Sequence, residues 1–141
     1  MDSNNSKLNR IEELEKELYI ARRVIVNFLS ENIKNVYFKH YYINSWDEMF
    51  EWKNNLIDKI IKNANILEKT SIYDYNDRAL CPICNSDTTT FNVKGFVVPE
   101  GLKIHLLGRG GKNQCPVFLQ IFKLAESDYV PRIKENESKM Y

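Results

Sequence analysis

Four residues in the C-terminal half constrain the fold of this chain more than any other feature: Cys81, Cys84, His105 and Cys115. The first two form a Cys-Pro-Ile-Cys pair, whose two intervening residues let both thiolates face one point across a tight turn. Twenty residues separate Cys84 from His105, and nine separate His105 from Cys115. Three thiolates and one imidazole are a ligand set used by structural zinc sites. The sequence therefore predicts one structural Zn²⁺ per chain.

The cysteine count supports metal binding over a disulfide framework. The chain has three cysteines, whereas a small secreted disulfide scaffold normally uses an even set. The alternative for the close pair is a redox Cys-x-x-Cys, which usually follows a strand and begins a helix in a βαβ unit. Here a polar linker precedes the pair and the turn-prone Asn85-Ser-Asp87 follows it. The metal hypothesis is therefore favoured over the redox one.

The segments between the four residues predict a small module at 79–128. β-prone runs at 88–93 and 95–98 indicate a β-hairpin. The segment 99–107 begins with a proline and is followed by a glycine, which predicts a short helix with His105 on its last turn.

A second helix of the module is predicted to start after Cys115. Pro116 suits the first helical position, and the helix dipole favours a thiolate at the N-terminus. The predicted module is thus ββαα, and the residues that follow it, 129–141, are expected to form a short tail that frays.

This ligand order resembles the Cys-Cys-His-Cys class of zinc fingers. The resemblance covers about residues 79–128, and the succession of knuckle, hairpin and ligand-bearing helix is also similar to treble-clef modules. DNA-reading fingers carry both late ligands on one helix, whereas His105 and Cys115 fall on successive predicted helices. Reading of the major groove by a single helix is therefore not expected.

The N-terminal half predicts a helical hairpin or coiled coil at 1–70. A helix at 7–34 carries apolar residues that alternate spacings of three and four, the pattern of a coiled-coil stripe: Ile11, Leu14, Leu18, Ala21, Ile25 and Phe28. Glu17 and Arg22 fall at g and e positions, where they can pair between chains in a parallel dimer. Two interpretations stay open: the stripe packs on the second helix of the same chain, or it forms a homodimer.

The second helix of the hairpin is predicted over about 46–69, where Ser45 and Glu48 fit a capping box. Its apolar stripe is broad enough to require burial: Met49, Phe50, Leu56, Ile57, Ile60, Ile61, Ala64 and Leu67. Two helices alone make a thin core, which independently favours dimerisation into a four-helix arrangement. The aromatic run at 36–43 predicts a short strand or a connector packed under the helices, and it would be a partner surface if exposed. A polar linker is expected at 71–78.

The sequence points to a protein that is not an enzyme. Four protein ligands close the zinc site, whereas catalytic zinc keeps one position open. Leu106 and Leu107 follow His105, so the His-x-Glu of zinc deaminases is not present. The sequence also has neither a P-loop nor a dinucleotide fingerprint. A non-enzymatic adaptor or regulator of α+β, mostly helical class is expected.

The charge balance bears on partners and location. A net charge of +1 is low for a dedicated nucleic-acid binder. Lys103, Arg109 and Lys112 can still contact phosphates from a Gly-rich segment, so a DNA- or RNA-binding regulator is the first alternative. A small phage-type inhibitor of a nucleic-acid-directed enzyme is the second. No apolar run is long enough for a bilayer, and residues 1–6 lack the apolar core of a signal peptide. A cytoplasmic location away from membranes is therefore expected.

Overall fold

A computed structural model of the protein describes residues 3–69, 72–88, 93–110 and 112–140. Helices hold 65% of the described residues, so the predicted α+β, mostly helical class is confirmed. The elements, in chain order, are α1 (Ser3–Asn27), α2 (Glu31–Tyr37), a 3₁₀ helix (Phe38–Tyr42), α3 (Trp46–Lys62), β1 (Arg78–Ala79), β2 (Phe96–Val97), α4 (Glu100–Leu107) and α5 (Pro116–Lys139). Within these ranges, no helix is both long and apolar enough to cross a membrane.

The single helix predicted at 7–34 is wrong, because the chain forms two helices there. α1 ends at Asn27, and Ser30 adopts an extended conformation at the N-cap of α2. The Ser30 hydroxyl accepts a hydrogen bond from the backbone N–H of Ile33 at 3.4 Å. A serine that caps a new helix ends the preceding one, so the predicted stripe does not run unbroken to residue 34.

The aromatic run at 36–43 is a connector that is packed on one side and exposed at Tyr41 and Tyr42, and the alternative of a strand is wrong. It completes α2 and forms the 3₁₀ helix, with the Tyr37 and His40 side chains buried. The indole N–H of Trp52 donates to the carbonyl oxygens of Val36 and Tyr37, both at 3.1 Å. These bonds attach the connector to α3.

The capping box that precedes α3 is confirmed. The Ser45 hydroxyl accepts from the Glu48 backbone N–H at 3.2 Å and lies 3.3 Å from the Glu48 carboxylate. The helix ends at Lys62, earlier than the predicted residue 69, and Phe50 of the predicted stripe is exposed. The buried side is narrower than predicted and consists of Met49, Trp52, Leu56, Ile57 and Ile60.

One hydrophobic core connects the two halves of the chain. Within the chain α1 packs mainly on α5, rather than on the second long helix as the intrachain interpretation expected. α3 contacts both α2 and α4. The buried cluster combines side chains of α3, α4 and α5 with two of the cysteines, and includes Leu56, Leu102, Leu106, Phe118, Ile121, Cys81 and Cys115.

The separate tail predicted at 129–141 is wrong, because α5 continues to Lys139. Pro131 lies inside this helix, with the buried Tyr129 and Ile133 on either side. The Arg132 guanidinium donates to the carbonyl oxygens of Ile43 at 2.7 Å and His40 at 3.0 Å. These long-range contacts hold the last turns of α5 on the connector, which the local proline signal does not reveal.

The two described strands form a small antiparallel sheet. Arg78 of β1 pairs with Val97 of β2, and Ala79 pairs with Phe96. The strand predicted at 88–93 falls mainly on residues 89–92, which lie outside the described residues. The partner of β2 therefore comes from the edge of the predicted linker.

Candidate metal centre

The four predicted ligands meet at one place in the structure. One ligand atom from each of Cys81, Cys84, His105 and Cys115 lies within 4.8 Å of all the others, and we call this group the Cys₃His cluster. The Sγ atom of Cys84 is 3.3 Å from Nε2 of His105. Tetrahedral Zn²⁺ with Zn–S bonds of about 2.3 Å holds its sulfurs roughly 3.8 Å apart. The cluster is therefore consistent with one bound metal ion.

A tight turn after β1 presents the first two cysteines. The backbone N–H of Asn85 donates to the Cys81 carbonyl at 2.8 Å, and the Cys81 N–H donates to the Ser86 carbonyl at 3.1 Å. Asn85 has a φ of 58°, a left-handed conformation that asparagine tolerates better than most residues. The turn thus directs both thiols to the same side, as the Cys-x-x-Cys spacing predicted.

The other two ligands are held by α4, α5 and the loop between them. His105 lies on the last turn of α4, and Cys115 is the N-cap of α5, so both predictions are confirmed. The backbone N–H of Cys115 donates to the His105 carbonyl at 2.8 Å, which joins the two ligand positions directly. Gly108 ends α4 with a φ of 77°, and a Cβ there would lie 2.7 Å from the Lys112 carbonyl oxygen. Glycine is therefore required at this loop.

Proton sharing among the thiols shows the electrostatic character of the cluster. A hydrogen bond from Cys115, followed by bonds from the backbone N–H groups of Cys84 and Ile83, lowers the pKa of Cys81 despite its burial. The same thiol–thiol bond and burial raise the pKa of Cys115. A bound cation replaces such shared protons, because metal ligation requires thiolates.

Two residues that the sequence did not single out support the ligands. The hydroxyl of Ser86 is 2.9 Å from Sγ of Cys84 and 3.4 Å from Nε2 of His105. The ring of Phe96 stacks on the His105 imidazole with centroids 4.4 Å apart. The position of Ser86, two residues after the second cysteine, was a visible signal for a sulfur contact. The stacking of Phe96 depends on the β1–β2 pairing, for which the sequence offered no signal.

Two of the four residues of the Cys₃His cluster are buried in the hydrophobic core. Cys81 and Cys115 belong to the hydrophobic core, whereas Cys84 and His105 are half-buried. The cluster therefore lies where the core reaches the surface, with four protein donors available to one ion. A complete set of four donors is typical of a structural metal site.

The three cations predicted to contact nucleic acid are all exposed. Arg109 and Lys112 exchange backbone hydrogen bonds of 2.9 and 3.1 Å across a tight turn beside the cluster. Lys103 lies on α4. Among the described residues, none of the three forms an ion pair. Their role in binding nucleic acid stays a prediction.

Comparisons with known proteins give no significant match to a protein-family model, a curated protein or a solved structure. The likeness to Cys-Cys-His-Cys zinc fingers is accordingly a likeness of ligand set and order. A function for the chain has to be inferred from the geometry of its own residues.

Proposed function

We propose that the protein is a non-enzymatic, zinc-binding adaptor or regulatory protein that acts as a homodimer. The observation that carries this proposal is the convergence of the Cys₃His cluster, whose ligand atoms lie within 4.8 Å of one another although they come from distant segments. A thiolate-rich set with one imidazole suits Zn²⁺ and disfavours hard cations such as Mg²⁺ and Ca²⁺.

A structural role for the ion is supported by the completeness of the ligand set. Four protein donors fill a tetrahedral shell and leave no position at which Zn²⁺ could activate water. The hydroxyl next to the cluster, that of Ser86, already contacts the Cys84 sulfur. The residues that follow His105 are leucines, and Leu106 is buried. These neighbours support the fold around the ion and offer no general base.

The ion would act as a cross-link between three parts of the fold. It would join the turn after β1 to the end of α4 and the start of α5, and α5 is the helix on which α1 packs. Zinc binding to small modules supplies on the order of 10 kcal/mol to folding. In this proposal the zinc-stabilised half is a rigid platform from which α1 extends as the association element.

The direct test is elemental analysis of the purified protein, combined with Co²⁺ substitution. We expect one Zn²⁺ per chain, and ligand-field absorption of tetrahedral thiolate-bound Co²⁺ after exchange. Lys112→Ala, which changes the same loop without removing a ligand, should keep one Zn²⁺ per chain. Absence of metal together with a Cys81–Cys84 disulfide would refute the proposal and favour the redox interpretation.

Nucleic-acid binding is a second candidate function, supported by the exposure of Lys103, Arg109 and Lys112 and by the lack of ion pairs at these residues in the described part of the chain. Such binding releases counterions and weakens steeply as salt rises. We expect Arg109→Ala/Lys112→Ala to reduce affinity for a mixed-sequence duplex or single strand and to flatten its salt dependence. Equal binding by the double variant and the wild type would exclude this loop as the contact surface.

A further inference from the structure

The N-terminal part of α1 exposes an apolar face that no described residue covers. Along the predicted stripe Ile11, Leu14 and Leu18 are 51%, 47% and 43% exposed. Toward the other end of the same helix, Val26 is only 2% exposed. Val26 occupies a b position and is therefore buried on a different side of α1 from the stripe. The stripe itself stays open, and its last residue, Phe28, is 86% exposed.

The attachment of the C-terminal turns of α1 to α5 favours association through its N-terminal turns. Arg22 donates to the Gln120 side chain of α5 at 2.8 Å, so the C-terminal turns of α1 are fixed to the folded body. Formation of the first helical turn is the costly step for an isolated helix. Here the turns anchored on α5 provide that nucleus, so a seam of only a few heptads is sufficient for pairing. A face with a spacing of three and four fits a second helix of the same period, and another copy of the chain provides one.

The charges beside the stripe specify the direction of pairing. With Ile11 at an a position and Leu14 at a d position, Arg10 occupies g and Glu15 occupies the following e. In a parallel pair each g residue faces the next e residue of the other helix. Arg10 therefore meets Glu15 of the second copy, and the twofold axis repeats this attraction.

The next heptad also places opposite charges together in a parallel pair, whereas an antiparallel pair places like charges together. Glu17 at g meets Arg22 at e of the second copy in the parallel arrangement, although Arg22 also serves the contact with Gln120. In an antiparallel pair over the same stripe the two Glu15 carboxylates approach each other, and like charges at such positions destabilise pairing.

We infer that two copies associate through α1 as a parallel, in-register coiled coil over about residues 8–21. The inference rests on the proposed function only in naming the partner of the adaptor, a second copy of this chain. The zinc-binding halves lie at the C-terminal end of the seam, so a parallel pair presents both halves on the same side.

The first experiment measures mass by light scattering and zinc by elemental analysis on one sample. We expect a mass twice the 16.7 kDa of the chain for the wild type, and a monomer for Leu14→Asp with zinc per chain unchanged. Ile20→Asp is the matched control, because Ile20 is an exposed apolar residue of the same helix (60%) on the side away from the stripe. It should stay dimeric. A monomeric wild type, or a Leu14→Asp variant that stays dimeric, overturns the inference; zinc content reports separately on the proposed function.

The second experiment tests direction with Asn4→Cys, an a position far from the middle of the seam. In a parallel pair the two introduced thiols are neighbours, and mild oxidation should link them, with the bond located by peptide mapping. In an antiparallel pair centred on residues 8–21 they are roughly 32 Å apart at 1.5 Å per residue, and no link forms. The link should disappear when Leu14→Asp is added. An unlinked dimer of confirmed mass overturns the parallel arrangement.

Discussion

The Cys₃His cluster and the N-terminal part of α1 differ in what each needs to be complete. The cluster draws its four donors from three segments of one chain and lies against the hydrophobic core. The free part of α1 has its apolar side chains exposed, and its polar contacts are local, as in the 3.0 Å ion pair between Arg10 and Glu13. The comparison supports both proposals: an ion would complete the C-terminal half, and a second copy of the chain would complete α1.

The largest expected effect is the loss of a cluster ligand. Cys84→Ser removes one thiolate from the proposed zinc site, and zinc binding in such modules contributes on the order of 10 kcal/mol. Because whole domains are stable by roughly 5–15 kcal/mol, we expect the variant to lose its metal and the fold around α4 and α5. Elemental analysis and amide hydrogen exchange of α4 and α5 measure the two consequences.

Ser86→Ala is the matched control for this ligand loss. It removes the hydroxyl that lies 2.9 Å from Sγ of Cys84 but leaves all four donors in place. We expect this variant to keep one Zn²⁺ per chain. It should lose the ion to a chelator more readily, because groups that hydrogen-bond to metal ligands typically change metal affinity by about 10- to 100-fold. A Cys84→Ser variant that is folded as well as Ser86→Ala would show that the cluster does not support the fold.

The second largest effect is expected from Leu18→Asp in the stripe of α1. Burial of a leucine side chain contributes about 1.5–3 kcal/mol, and the dimer loses two, so dimer affinity should fall by at least roughly 100-fold. Because Leu18 is already half exposed in the single chain, the thermal unfolding of the C-terminal half and its zinc content should be unchanged. Sedimentation at several concentrations measures the affinity. Loss of zinc with loss of the dimer would contradict the independence of the two regions.

The signals that predicted the structure correctly are local ones. Ser45 caps α3, Gly108 ends α4 and Pro116 starts α5, because each residue type fits the backbone geometry that the position demands. The four ligands were predictable for a similar reason, since a metal site requires particular atoms whatever the surrounding fold. Short-range chemistry therefore identified the candidate site more completely than the architecture around it.

The features that the sequence did not predict depend on contacts between distant residues. α5 continues past Pro131 because Arg132 donates to Ile43 and His40, far away in the chain. β2 pairs with β1, and α1 packs on α5. Ser30 is an exception, because its capping signal is local and present in the sequence. The apolar pattern continues across this residue and predicted one unbroken helix instead.

A smaller effect is expected at Tyr37, whose side chain connects the end of α2 to α5. Its buried hydroxyl donates to the Ile121 carbonyl at 2.9 Å, and one such bond contributes about 1 kcal/mol. Tyr37→Phe should lower the free energy of unfolding by that amount and leave zinc content and dimer mass unchanged. Denaturant titration measures the difference. A loss of several kcal/mol would exceed what one hydrogen bond contributes, and a change in zinc content would show that the Cys₃His cluster depends on this contact.

The smallest expected effect tests the charge pattern of the seam. Arg10→Glu should face Glu15 of the second copy and weaken the dimer by about 1 kcal/mol, roughly fivefold, because exposed ion pairs contribute little each. Adding Glu15→Arg reverses both charges and should restore the affinity only in a parallel, in-register pair.

Since Arg10 also pairs with Glu13 in its own chain, Glu13→Gln is the control and should leave the affinity nearly unchanged. The difference in dimer affinity between the single and the double variant should decrease at high salt, because exposed charges are then screened. If the double variant is as weak as the single one, the contacts of Arg10 lie elsewhere, and the seam has another register or direction.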